Sequence, residues 1–188
     1  MTNIFRPSRR EISVLRKSFL ESTKLLGRTC HLIQPVSRTL DKYTTTDTYS
    51  YTNAIRYPYY VHFINEPKKK MLELFGWSYE SKDEKPLLAD MPMYRYPHAT
   101  DPTTAYLNVN GVSVVPVVIS EGCILELESY DHTEVTKVIQ QFEVEKVISG
   151  DDRVNYLVNL VPRKILTLGV DVEDRPDSGS TFIRQSDE

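Results

Sequence analysis

Glycine is scarce in this chain, with 7 among 188 residues. No glycine-rich loop precedes a helix with Lys-Ser/Thr, so a phosphate cradle of the P-loop kind is excluded. No Gly-x-Ser-x-Gly occurs, which removes the nucleophile elbow of the α/β-hydrolases. Cysteine is scarcer still. Cys30 and Cys123 are the only two, which is too few for a disulfide scaffold. Cys30 sits beside an apolar strand and Cys123 begins one, so both are expected to be buried and reduced, as in a cytosolic product. The four histidines, His31, His62, His98 and His132, stand far apart, and none has metal-ligand spacing. Cys30 and His31 are adjacent and point to opposite faces of a strand, so they cannot share one ion. No metal or cofactor is expected. No apolar run approaches ~20 residues, so no membrane helix is expected. Arg6, Arg9 and Arg10 lead into an amphipathic stretch, which argues against a secretory leader.

What the chain does have is tyrosine and a lopsided charge. There are 12 Tyr against 6 Phe and 1 Trp. Tyrosine suits strands, and its flat apolar body with a polar tip also suits interfaces. Net charge is only −3, but it is unevenly spread. Residues 1–28 carry seven Arg and Lys against Glu11 and Glu21, an excess of five positive charges. Residues 171–188 carry six carboxylates against Arg175 and Arg184, an excess of four negative charges. Arg9, Arg10, Arg16 and Lys17 could therefore meet Asp171, Glu173 and Asp174 across neighbouring copies. The alternative is that both ends are simply solvated.

The local pattern predicts a mainly β protein with small helical additions. Ser8 and Glu11 form a capping box. Ile12, Leu15, Phe19 and Leu26 make one helical stripe flanked by Val14 and Leu25, and Gly27 follows where the helix would stop. The basic residues Arg9, Arg10, Arg16, Lys17 and Lys24 take the opposite face. Residues 29–35 read as a strand, 37–56 as a long polar loop, and 57–65 as a strand with Tyr59, Val61 and Phe63 on one face. Pro67 is placed in the first helical position of a short helix whose apolar face is Met71, Leu72 and Phe75, ended by Gly76. Trp77 is expected in the core. A hydrated acidic loop and a buried strand up to Pro92 follow.

Residues 93–110 resist regular structure through Pro97 and Pro102. Pro116 demotes the apolar run 112–119 to an edge or bulged strand. Residues 123–129 alternate, and residues 135–139 add a piece to the same sheet. Phe142, Val144, Lys146 and Ile148 oppose Val154, Tyr156, Val158 and Leu160 in the clearest hairpin, turned by residues 149–152. Without βαβ alternation the sheet is antiparallel, so a small barrel or sandwich is expected. The expected division is a helical arm at 1–28, a barrel-like domain at 29–168 with loops at 37–56 and 93–110, and an acidic tail at 169–188.

Catalytic sets are not found. Asp131-His132 with Glu134 reads as a solvated corner, Asp151-Asp152 as a turn, and Asp83-Glu84 as an exposed loop. No nucleophile–base or acid–base set assembles from neighbouring residues, so an enzyme is not expected. The strands carry no basic row interleaved with aromatics, which weighs against a single-strand nucleic-acid binder.

Several segments resemble the neck proteins of tailed bacteriophages, of the head-closure or stopper type. They are Glu66-Pro67, Phe75-Gly76-Trp77, Asp83-Glu84 followed by Pro86-Leu87-Leu88-Ala89, and the closing stretch from Tyr156 to Lys164. The order of parts over residues 8–165 agrees. The resemblance implies a structural virion protein, made in the host cytoplasm and forming a ring of six or twelve copies. Such a ring joins portal or adaptor proteins on the head side to a tail terminator or other tail proteins. Genomic double-stranded DNA passes without sequence-specific binding, and no membrane is involved. Asp83, Glu84, Asp151 and Asp152 are the expected channel-facing residues. The alternatives are another phage barrel, from tail or baseplate, and a nucleic-acid-binding barrel module.

Overall fold

A computed structural model describes residues 8–40, 47–77, 86–130, 136–149 and 153–169. In chain order the elements are α1 (Arg9–Leu26), β1 (Arg28–Ile33), β2 (Ser37–Leu40), β3 (Asp47–Ser50), β4 (Arg56–Ile64), α2 (Lys69–Leu74), β5 (Leu87–Pro92) and β6 (Tyr94–Arg95). A 3₁₀ turn at Thr103–Ala105 leads to β7 (Leu107–Val109), β8 (Val112–Pro116), β9 (Ile124–Tyr130), β10 (Thr136–Ile148) and β11 (Asn155–Gly169).

The first helix begins where Ser8 and Glu11 dictate. The Ser8 N–H donates to Glu11 Oε2 at 2.6 Å, and the Glu11 N–H donates to Ser8 Oγ at 3.3 Å. These bonds satisfy otherwise orphaned donors, and the cap contributes about 1 kcal/mol. The helix ends at Gly27, but not because of a left-handed turn: its φ is −88°. Space is the reason. A Cβ there would lie 2.6 Å from both the Thr23 and Val61 carbonyl oxygens. Gly27→Ala should therefore cost about 1–3 kcal/mol, since two backbone segments must part. Denaturant unfolding measures it, and a loss below about 0.5 kcal/mol would contradict the close approach.

Six strands close into an antiparallel barrel in the order β1-β4-β5-β11-β10-β9. The barrel follows from alternation along each strand, which sends every second side chain inward. Cys30 and Leu32, Tyr59 and Val61, Ala89 and Met91, Leu125, Phe142 and Val144, and Val158 and Leu160 fill the interior. Cys30 and Cys123 are both free thiols buried in this core. Burial drives the Cys30 thiol far above its ordinary range. One barrel end is stoppered by Val117 and Ile119, and the Tyr156 hydroxyl donates to the Val117 carbonyl at 2.9 Å. At the other end β1 leaves β9 after Glu126, and β5 leaves β11 after Leu160. Strands β9, β10 and β11 run on past that end, with Lys137 opposite Tyr130 and Thr136 opposite Gly169.

The polar stretch 37–56 is not a plain loop. It holds the β2–β3 hairpin, in which Arg38 donates to both carboxylate oxygens of Asp47 at 2.7 and 2.5 Å. The following Tyr51 and Ala54 pack on Ile33 and Ile124 outside the barrel. The Pro- and Tyr-rich stretch also contains regular structure: β6, β8 and β7 form a small sheet. β8 is its middle strand rather than an edge, and Pro116 is tolerated because it stands at the strand's end. A register shift between Val144 and Lys146 takes Lys146 out of the predicted face and turns Val147 toward the core instead.

The second helix differs from expectation at its start. Pro67 precedes the cap residue Lys68 and lies outside the helix. Its end is a Schellman turn. The Gly76 N–H donates to the Glu73 carbonyl and the Trp77 N–H to the Leu72 carbonyl, both at 3.0 Å, with Gly76 at φ +83°. Leu72 and Phe75 pack on Leu88 and Leu157, but Trp77 is 36% exposed and is not core.

Candidate functional site

Helix α1 lies against β4, β5, β6, β1 and β7. The residues it buries are Leu20 and Thr23, with Val14 packed against Tyr94 and Val114. Leucine spacing predicted a different buried face, and the structure overturns it. Leu15 is 48% exposed and Leu26 is 77% exposed, with Leu25 also at the surface. Beside Val14 and Leu20, long polar residues flank the barrel side with their aliphatic stems. The Arg16 Nε donates to the Arg153 carbonyl at 3.1 Å, Lys17 Nζ pairs with Glu21 at 2.9 Å, and Lys24 Nζ stands 4.9 Å from the Tyr96 ring centre. The most apolar ridge of the helix, Ile12, Leu15, Phe19 and Leu26, joins none of the buried clusters. Arg9 and Arg10 are exposed in the first turn.

Leu26 also lines a cavity of about 370 Å³ at the open end of the barrel. Its walls include Val61, Phe63, Leu87, Leu127 and Phe142, and its rim includes Arg28, His62 and Gln140. The Arg28 guanidinium lies 5.9 Å from the Phe63 ring centre. Among the described residues no carboxylate lines this cavity.

Outside the barrel wall a charged cluster is buried. Arg56 Nη2 donates to Glu126 Oε2, and lies 3.6 Å from Glu128 Oε1. Gln141 Nε2 donates to Glu126 Oε1 at 2.8 Å, and His31 Nδ1 is 3.8 Å from Glu128 Oε1. A second cavity, about 560 Å³, adjoins this cluster and is lined by His31, Ile55, Arg56, Pro58 and residues 98–100. Sequence reasoning missed this convergence, since His31 and His98 are brought together only by the fold. One guanidinium facing two carboxylates is already neutralised, so Arg56 is not poised to bind an anion. Among the described residues no group of three or more His, Cys, Asp and Glu could hold a metal ion.

The loop 96–102 is pinned by a single carboxylate. Asp101 accepts from Arg95 Nη1 and Nη2, both at 2.5 Å, and from the His98 N–H at 2.7 Å. Arg95 also stacks 4.0 Å over the Tyr57 ring. The Arg95 bonds hold the Asp101 carboxyl below its ordinary range, against the opposing effect of burial. A lowered carboxylate stabilises the fold above its unfolded pKa, and that stability is lost as pH falls through the folded value. Asp101→Asn should therefore cost about 1.5–3 kcal/mol at neutral pH. The gap between variant and parent should narrow in acid, as pH falls through the lowered folded pKa. Urea midpoints at neutral and acid pH test this, and an equal gap at both would refute it. Asp90 moves the other way: burial raises its carboxyl pKa, while its Oδ1 accepts from Asn155 Nδ2 at 2.5 Å.

The other sequence-derived residues lie outside the described residues: Asp83, Glu84, Asp151, Asp152, Asp171, Glu173 and Asp174, as do Asp131, His132 and Glu134. No described helix is long and apolar enough to cross a membrane. No family model matches the chain, and neither a curated protein nor a solved structure matches it.

Proposed function

We propose that the chain works by shape, as a subunit of a ring in the neck of a tailed phage. In this reading it is a virion component that joins the portal or adaptor of the filled head to the tail. The observation that carries an assembly role is the outward ridge of α1. A helix normally turns its most apolar stripe to the core. Here Ile12, Leu15, Phe19 and Leu26 are left out of it while Val14, Leu20 and Thr23 take the inner side. Such a face gains most from a partner surface. Arg9 and Arg10 at its head add a charge that can select the partner. The neck assignment rests on the segment resemblance, including Glu66-Pro67 and the stretch from Tyr156 to Lys164.

Ring closure needs two different complementary patches on each copy. The ridge with its arginines supplies one, and Asp171, Glu173 and Asp174 offer the other. Leu15→Asp with Leu26→Asp should leave the monomer folded, because both sites are exposed. It should abolish rings in negative-stain micrographs and leave filled heads unjoined to tails. Infectious particles assembled without this chain, or turnover of a small molecule by it, would overturn the proposal.

A further inference from the structure

The open barrel end has a wall of large apolar side chains and a positive rim, and the chain carries a segment that matches both. The described chain stops at Gly169, on strands that overhang this same end. Gln140, which lines the cavity, stands opposite Ile165. Gly169 is four residues farther along β11, or about 13 Å beyond that lining residue. A segment returning to the cavity must therefore spend several residues on the way back. Val170 and Val172 follow Gly169 too closely to do so. The only other large apolar residues in 170–188 are Phe182 and Ile183. Thirteen extended residues from Gly169 to Phe182 span up to about 43 Å, which is ample. Residues 171–188 carry a net excess of four negative charges, and among the described residues the only permanently charged side chain lining the cavity is Arg28. A cavity of about 370 Å³ falls at the small end of the ~300–1,000 Å³ seen for binding clefts.

We propose that the open end of the barrel is the docking site of the chain's own acidic C-terminal segment, with Phe182 and Ile183 seated among Val61, Phe63, Leu87, Leu127 and Phe142. The segment then covers the half-buried Phe63 and Leu87 at the edge of the buried Val61, Leu127 and Phe142, and the carboxylates that follow the anchor, Asp187 and Glu188, lie near Arg28. The anchor docks in the same copy, because the reach suffices without a neighbour.

The test uses the full chain and an apolar fluorescent dye, anilinonaphthalene sulfonate. The wild-type protein should bind little dye. The F182D/I183D variant should bind about tenfold more, with an unchanged unfolding midpoint. The F182L/I183L variant should stay low, because the apolar anchor is kept. Adding Gln140→Trp to F182D/I183D should remove the gain by filling the cavity. Arg28→Glu alone should raise dye binding severalfold, and salt should do the same to the wild type. Equal dye binding by wild type and F182D/I183D would overturn the proposal. So would wild-type dye binding that falls as protein rises from about 1 to 100 µM, since the anchor would then come from a second copy.

Discussion

Glu126→Ala should destabilise the protein by about 3–5 kcal/mol, because it strands a buried cation. Glu126 is fully buried, and Arg56 is 8% exposed. The carboxylate accepts from Arg56 on one oxygen and from Gln141 on the other. After truncation Arg56 keeps, among the described residues, Glu128 at 3.6 Å, and the Gln141 amide loses its acceptor. Arg56→Met alone should cost a similar amount, since it removes the Arg56 hydrogen bond from the buried Glu126 carboxylate. The double variant Arg56→Met/Glu126→Leu should recover most of the loss, because no charge is then stranded. Guanidinium unfolding of the four proteins decides the matter. A single-variant loss under about 1 kcal/mol would mean that the cluster is hydrated.

Tyr59→Ala should cost about as much, roughly 3–5 kcal/mol, by a different route. Tyr59 is among the largest fully buried side chains and lies inside the barrel. Its ring lies among the interior side chains, and its hydroxyl donates to the carbonyl of Pro92 at the end of the neighbouring strand β5. Removing the ring opens a cavity that closed strands cannot collapse around. Tyr59→Phe isolates the hydroxyl and should cost about 1–3 kcal/mol, the penalty of an unpaired buried carbonyl. Burial also raises the Tyr59 hydroxyl pKa well above its usual value. A raised acid stabilises the fold below its unfolded pKa, and that contribution is lost as pH rises through the folded value. The wild type should therefore lose stability above about pH 10 more steeply than Tyr59→Phe. Parallel alkaline profiles would refute the burial argument.

The elements that sequence reading captured are those with local punctuation or strict alternation. The capping box at Ser8 and Glu11 marks the start of α1, and Tyr59-x-Val61 and the hairpin around residues 149–152 disclose barrel strands. Antiparallel closure then follows from the lack of crossover helices. The losses have physical causes. The β2–β3 hairpin lacks an apolar face, since Arg38 and Asp47 hold it by charge, so hydrophobic periodicity cannot reveal it. The shift at Glu145 inserts one residue into a regular alternation, and no composition signal marks it. Stripe spacing identified an apolar ridge on α1 correctly but not its direction, because the inner contacts are made by Val14, Leu20 and Thr23, with the stems of Arg16 and Lys17 beside them. The Arg56 cluster draws on four distant segments, so no motif could announce it. The leucine-lined cavity likewise depends on where β1 and β5 part from their neighbours.

A barrel of six strands packed with Tyr59, Met91, Leu125 and Phe142 is a solid peg. Its bore is narrower than an eight-stranded barrel, whose interior side chains already fill. Nothing the width of a double helix can thread one copy. Any conduit this protein helps to build must be bounded by the outsides of several pegs, and its diameter is then set by how many stand in the circle.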